Sequence, residues 1–324
     1  MRLSYRFAVV LLGLCQQNLA HAIELESPVV CQIGKDCWIQ QYADHETSGT
    51  AKDYRCNGET YFGHDGTDFR ALNVKSDITV VAAAPGVVRA IRDGVADRLA
   101  NTPELLRASL KQECGNGVVV LHKDGFETQY CHMRKGSVVV KAGDPVAAGT
   151  PLGKIGYSGA AAFAHLHFSL RQKATKLDPF SGPLMAPCGV NSTNFWSPAA
   201  NKLLEYHNTE LLELGWSKQK LNIEDLELGT ASTGQPAPYW PELVAYMRAI
   251  NLKAGDEISL EIVGPAGQLA QNSQKLDHDK AEFTLFAGNK SHDENWPAGT
   301  YQAHLKVLRD GKIEIDQSNE AILK

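Results

Sequence analysis

Apolar and polar positions alternate with period two wherever this chain shows a clear pattern. The stretch FAHLHFSL, residues 163–170, puts Leu166 and Phe168 on one face and His165 and His167 on the other, because successive strand side chains point to opposite sides. One face is apolar and the other carries imidazoles. Between Val74 and Phe168 run short β-branched segments, ITVVAAAPGVVRAI, GNGVVVLHKDGFETQYCH and GSVVVKAGDPVAAGTPLGKIG, punctuated by glycine, proline and Asp-Gly. They predict an antiparallel β-domain with hairpin turns, one at Asp124-Gly125. A single helix is expected inside it, over NTPELLRASLKQ, with Thr102 as N-cap and Pro103 at the first helical position. It reads as a surface insertion, with the rim of a cleft as a further reading.

Beyond Trp196 the pattern changes. Residues 200–215 read as a short amphipathic helix or a linker, with Leu203, Leu204, Leu211 and Leu214 as its apolar set. After it come LNIEDLEL, DEISLEIVGPAGQ, AEFTLFAG, GTYQAHLKVLRDGK and IEIDQSNEAIL, alternating runs separated by turns. Their spacing predicts a small immunoglobulin-like β-sandwich. The fold class is therefore mainly β. The expected organisation is a leader at 1–22, a cysteine-containing segment at 23–55, a β-domain at 56–197 and an accessory sandwich at 198–324 with its leading helix or linker.

Cysteines and charge narrow the setting. The chain opens with Arg2 and Arg6, an apolar run from Phe7 to Leu14 and the small-x-small triplet Ala20-His21-Ala22, the pattern of a secretory signal cleaved before Ile23. The apolar run is too short for a permanent membrane span, and no transmembrane segment is expected later. Six cysteines remain after cleavage, Cys31, Cys37, Cys56, Cys114, Cys131 and Cys188, and an even number in an exported chain predicts disulfides. Cys31 with Cys37, flanking QIGKD, is the simplest pair; the other four allow several pairings. The formal charge of -5 becomes -7 once Arg2 and Arg6 are removed, which argues against nucleic acid as a partner. The expected location is the periplasm or the exterior.

The two histidines of HLH need partners if they are to do chemistry. In YFGHDGTDF, His64 and Asp68 lie four apart. Gly63 and Gly66 oppose a helix at about 1 kcal/mol each, but four is also even, so an extended segment would face both side chains the same way. A carboxylate and an imidazole from one segment, with one imidazole from another, form a three-ligand set that suits catalytic zinc with an open fourth position. A further histidine, His132, ends the hairpin strand ETQYCH. Asp65, Asp77 and Asp178 read as turn or loop residues, with support of a ligand as the alternative for Asp65 because it adjoins His64. Cys131 reads as a disulfide cysteine. His45, His122, His207, His278, His292 and His304 have no partner at ligand spacing and read as surface or packed polar residues.

Taken jointly, HxxxD, a lone histidine after a tyrosine-bearing strand and HxH resemble the lysostaphin-like M23 peptidoglycan metallopeptidases, over roughly residues 56–180. The resemblance implies that His64, Asp68 and His167 hold one Zn²⁺ per chain, and that His132 and His165 flank it as catalytic histidines. It also implies an exported endopeptidase acting on peptide stems, cross-links or bridges of peptidoglycan. No HExxH occurs, so no glutamate base of that kind is available. The chain departs from the family in carrying SGAAAFA before HLHF, where relatives have a Ser/Thr-Gly-rich loop and a proline, and this bears on substrate contacts. Two other readings use the same residues: a catalytically silent wall-binding or regulatory protein, and a zinc protease of glycine-rich proteins. The accessory domain leaves room for a cell-envelope protein partner. Because residues 200–324 hold no cysteine and none of the five site residues, the two halves are expected to be separable in chemistry.

Overall fold

The computed structural model describes residues 23–46, 49–190, 192–291 and 295–324. The expected leader at 1–22 and His292 lie outside the described residues. Among the described residues no helix is long and apolar enough to cross a membrane.

The first core is β-rich, as the alternation predicts. Its main sheet is antiparallel and runs in the spatial order Gly182–Pro183, Thr175–Asp178, His165–Gln172, Phe126–Met133, Asn116–Leu121, Gly86–Arg92, Pro145–Val146. The strand Thr67–Ala71 pairs with the first half of His165–Gln172 and with Cys37–Gln41. A second sheet of three short strands, Val29–Val30, Thr79–Val81 and Pro151–Lys154, accompanies it. Phe69, Leu166, Phe168, Tyr130, Val118 and Val120 fill the space behind the main sheet. Asp124 and Gly125 both adopt left-handed backbone, φ 57° and 74°, which is what a tight turn between twisted strands demands. The hairpin foreseen at this dipeptide is present, pairing Leu121 with Glu127.

The foreseen helix spans Pro103–Ser109, with the Thr102 hydroxyl accepting from the Leu105 amide. None of its residues is buried, so it is a surface insertion. It is tied down through the segment before it, where the Ala100 amide donates to the Ala161 carbonyl, 2.7 Å.

The second core is a sandwich of two antiparallel sheets. Glu210–Ser217, Glu242–Leu252 and Lys280–Lys290 form one sheet; Gly267–Lys275, Glu257–Gly264, Gly299–Arg309 and Lys312–Leu323 form the other, in that spatial order. Trp216, Leu243, Met247, Ile258, Leu260, Leu305 and Val307 meet between them. In chain order the sheets join the first, second and fifth strands, and the fourth, third, sixth and seventh, an immunoglobulin-like arrangement. The stretch 200–215 divides differently from the helical reading. Pro198–Leu203 is helical and packs Ala200 and Leu204 into the first core, whereas Leu211 and Leu214 lie on the strand Glu210–Ser217. The spacing of three between Leu211 and Leu214 suits a helix; on the strand that pairs with Glu242–Leu252 it is accommodated by a bulge between Leu211 and Glu213.

Three disulfides close the first core: Cys31–Cys37, as expected from spacing, Cys56–Cys188 and Cys114–Cys131.

Candidate metal centre

His64, Asp68, His132, His165 and His167 converge on one side of the main sheet, and three different local devices bring them there. Register places Asp68, His165 and His167. Asp68 lies directly opposite His167 across the antiparallel pair, and Arg70 opposite His165; opposed residues share a face with their β-carbons about 5 Å apart. A turn places His64. The strand begins only at Thr67, so His64 does not share a strand face with Asp68, contrary to the expectation from even spacing. It reaches the site from a loop fixed by Asp44, whose carboxylate accepts from the Gly63 amide and whose amide donates to the His64 carbonyl, 2.9 and 2.8 Å. Gly63 takes φ 77° to make that turn.

A break in alternation places His132. Cys131 is opposite His167, and Tyr130 is opposite Phe168 in the core, so regular alternation would send His132 to the core side with Tyr130. Its backbone instead adopts φ 61°, a conformation that costs a non-glycine residue about 1–3 kcal/mol and persists only where its surroundings impose it. The surroundings here are the disulfide of Cys131 with Cys114 and the bond from the His132 amide to the Cys114 carbonyl, 2.8 Å. The imidazole is then held by the Ser158 carbonyl at 2.8 Å from Nδ1.

Carbonyls also decide the tautomers. Nδ1 of His64 is 2.7 Å from the Tyr42 carbonyl, and Nδ1 of His165 is 2.9 Å from the Phe163 carbonyl. A carbonyl only accepts, so in His64, His132 and His165 the Nδ1 proton is committed to the backbone, and Nε2 is left for the site. His64 Nε2, Asp68 Oδ1 and His167 Nδ1 form a triangle with sides of 3.1, 3.1 and 3.0 Å. These are the atoms of a buried His-Asp-His group able to hold a metal ion. A tetrahedral zinc with its usual bond lengths separates its ligand atoms by roughly 3.3 Å. The donor set and its spacing therefore fit zinc. His165 Nε2 stands 3.7 Å from Asp68 Oδ1, and its ring centroid lies 4.6 Å from that of His132.

Electrostatics follow from burial. Burial opposes the Asp68 carboxylate, yet His64, His165 and His167 around it more than offset this and hold its pKa well below the usual range. Burial pushes His132 well down, helped by the neighbouring imidazoles, and lowers His165 in spite of Asp68. Both are neutral near pH 7. His167 goes the other way: burial would lower it, but Asp65 and Asp68 raise it to about 9.

Two aromatic neighbours were not foreseen as part of the site. The Tyr61 ring stacks on His64 at 4.4 Å, and the Phe163 ring lies 4.5 Å from His165 with the Arg70 guanidinium 4.6 Å from its centre. Both flank the ligand motifs, so adjacency was the available signal. The carbonyls of Tyr42 and Ser158 leave no mark in a sequence at all. Outside the site, buried His45 pairs with Asp178 and Ser181, 2.9 and 3.1 Å, and buried His122 bonds Thr128 and the Pro85 carbonyl; both are packed polar residues.

This β-domain thus carries a His-Asp-His group that could hold a metal ion, with two further imidazoles beside it. Residues 62–179 match the model of peptidase family M23, so this segment is similar to that family. Among solved structures it is similar to the catalytic domain of the antimicrobial peptidase lysostaphin from Staphylococcus simulans, at 24% identity over 43% of this chain and 85% of that one, TM-score 0.28. It is similar to a zinc-containing peptidase from Vibrio cholerae, at 22% identity over 47% and 40%, TM-score 0.28. The SpoIIQ–SpoIIIAH pore-forming complex gives 20% identity over 49% and 90%, TM-score 0.35.

Proposed function

We propose that the protein is an exported zinc endopeptidase that hydrolyses peptide cross-links or bridges of bacterial peptidoglycan, with His64, Asp68 and His167 as metal ligands and His132 and His165 as catalytic histidines. The observation that carries this reading is the triangle of three donor atoms beside two imidazoles whose Nδ1 protons are already committed to carbonyls. Zinc, when bound, supplies a Lewis acid that polarises a carbonyl and makes water acidic enough to act near pH 7. His132 and His165, neutral through burial, accept a proton at Nε2 and, once protonated there, donate it to the departing amine or to a developing oxyanion. Their backbone carbonyl partners prevent the rings from turning the wrong nitrogen to the substrate. Three disulfides support export, since such bonds persist in oxidising compartments.

The test is digestion of purified peptidoglycan by the oxidised full chain, with mass analysis of released fragments, with and without a chelator and with zinc restored. Cleavage at a peptide bond that stops on chelation and returns with zinc is the expected result. Intact wall in the presence of a zinc-loaded chain would favour the silent wall-binding reading, and cleavage of glycine-rich proteins alone would favour the protease reading.

A further inference from the structure

His64 and His167 present opposite nitrogens to the triangle. His64 offers Nε2 and anchors Nδ1 on the Tyr42 carbonyl. His167 offers Nδ1, 3.0 Å from Asp68 Oδ1 and 3.1 Å from His64 Nε2, so its own proton must sit on Nε2 if the ring is to bind a metal as a neutral ligand. Among the described residues no carbonyl takes that nitrogen. The group facing it is Asp65, with Oδ1 3.3 Å away.

We infer that Asp65 is a positioning residue for the metal ligand His167, fixing its Nε2-protonated tautomer and its ring orientation; the inference rests on the metal-site reading above. A carboxylate behind an imidazole ligand makes that ligand more basic and sets its direction, and loss of such a partner typically weakens metal binding by 10–100-fold. The tripeptide His64-Asp65-Gly66 then does three things in one turn. His64 supplies a ligand atom. Asp65 braces the other imidazole at its outer nitrogen. Gly66 lets the ring lie against the backbone, since a β-carbon there would fall 2.6 Å from Cε1 of His167 and 2.6 Å from the Phe168 carbonyl oxygen.

Asp65 is itself held in place. Its second oxygen, Oδ2, is 2.7 Å from Nζ of Lys176, which extends from Thr175–Asp178, the strand that pairs with the HLH strand through Arg171. The lysine occupies one oxygen and leaves the other for His167. The Asp65 side chain is 38% exposed, which makes it replaceable without opening the core.

The measurement is zinc affinity of the oxidised full chain, by competition with a chromophoric chelator, for wild type, Asp65→Ala and Asp65→Asn, alongside the melting temperature of each metal-free protein. Asp65→Ala is expected to raise the zinc Kd by about 10–100-fold with the metal-free melting temperature unchanged. Asp65→Asn keeps an acceptor oxygen without the charge and is expected to fall between the two. A zinc Kd for Asp65→Ala within twofold of wild type would overturn the inference while leaving the metal site intact. A wild-type chain that takes up no zinc would sink the site reading itself, and this inference with it.

Discussion

Asp68 and Arg70 stand two residues apart on one face of the strand Thr67–Ala71, and each enters a buried polar cluster of a different kind. Asp68 meets His64 and His167, three donor atoms turned toward one another. Arg70 meets Glu227 and Glu282 from the second half of the chain, and Arg248 joins them, so two guanidiniums face two carboxylates with both arginine side chains fully buried. The second cluster pairs its two cations with two carboxylates inside the protein, with Arg70 Nε and one Glu227 oxygen left without a hydrogen-bond partner. Gln40 and the Leu72 carbonyl take further guanidinium hydrogens. The first aims lone pairs at a common point, an arrangement that a cation completes. Buried polar groups adjacent in sequence thus serve opposite ends, one to lock two cores together and the other to hold something that comes from outside.

The locking cluster also bears on separability. Trp38, Leu212 and Ile250 form a shared apolar patch with Leu72 beside it, and Asn251 donates to the Gln40 carbonyl at 2.9 Å. A fragment ending near Ser197 would strip Arg70 of both carboxylates and uncover Trp38, so an unpaired cation would stand two residues from Asp68. The absence of site residues beyond residue 200 does not make the first half self-sufficient, because the strand that bears Asp68 is supported from the other side.

The comparison predicts unlike responses to substitution, and the largest belongs to the metal cluster. His64→Ala, Asp68→Ala or His167→Ala should each abolish zinc uptake and wall hydrolysis together, read as bound zinc per chain and as released fragments. Full zinc occupancy in all three variants would show that the ligands lie elsewhere. In the locking cluster the effect falls on folding instead. Arg70→Met removes one partner of a buried charge network, a change that usually costs about 3–5 kcal/mol, measured by denaturant unfolding of the metal-free full chain. Glu282→Gln should cost less, since that side chain is 23% exposed. A loss below about 1 kcal/mol for Arg70→Met would mean the network contributes little to the junction.

Next in size are the two imidazoles at the edge of the metal cluster. His132→Ala or His165→Ala should leave zinc in place and lower hydrolysis by about 10²-fold or more, the scale of lost proton transfer or oxyanion support. Loss of zinc from His165→Ala would exchange the roles of the two histidines in HLH. His132 has a second dependence. Its left-handed backbone is pinned by Cys114–Cys131, so replacing both cysteines by serine should reproduce the activity loss of His132→Ala with zinc retained.

Much of this was readable in the residues, for reasons that differ by element. Period-two alternation identified the HLH strand because one of its faces is core; Leu166 and Phe168 are fully buried. Turn chemistry identified Asp124-Gly125, and capping identified the helix after Thr102. The route by which His64 enters the site was misread, because even spacing in a segment with two glycines fits a turn as well as a strand. The leucines of 200–215 misled for another reason: a bulge between Leu211 and Glu213 hides the period of two that would have marked the strand. Arg70, Arg248, Glu227 and Glu282 were invisible as a group. Each reads as an ordinary charged residue in a polar position, and only the docking of the two cores brings them into one buried network across more than 200 residues of chain.

A carboxylate between these extremes offers the smallest test. Glu59 is buried in the first half with Nζ of Lys253, from the second, 3.5 Å from Oε1. It has one cation where Glu282 has two, and the balance tips accordingly: burial raises the Glu59 pKa to about 8 against the pull of Lys253, whereas burial of Glu282 is more than offset by Arg70 and Arg248, which hold it at about 2. Above the ordinary carboxylate value of 4.5 the unfolded chain releases this proton while the folded chain keeps it. Stability must therefore fall as pH rises from about 4.5 toward 8 and level off above. Glu59→Gln resembles the protonated carboxyl in shape and cannot ionise. It should match wild type near pH 5, where folded Glu59 is already neutral, and exceed it above about pH 8 by roughly 1–3 kcal/mol. Denaturant unfolding of the metal-free protein at both values gives the comparison, with zinc removed so that ligand protonation does not enter. An equal difference at the two pH values would show that Lys253 compensates Glu59 as fully as the two arginines compensate Glu282, and the contrast between a carboxylate with one cation and a carboxylate with two would no longer hold at this pair.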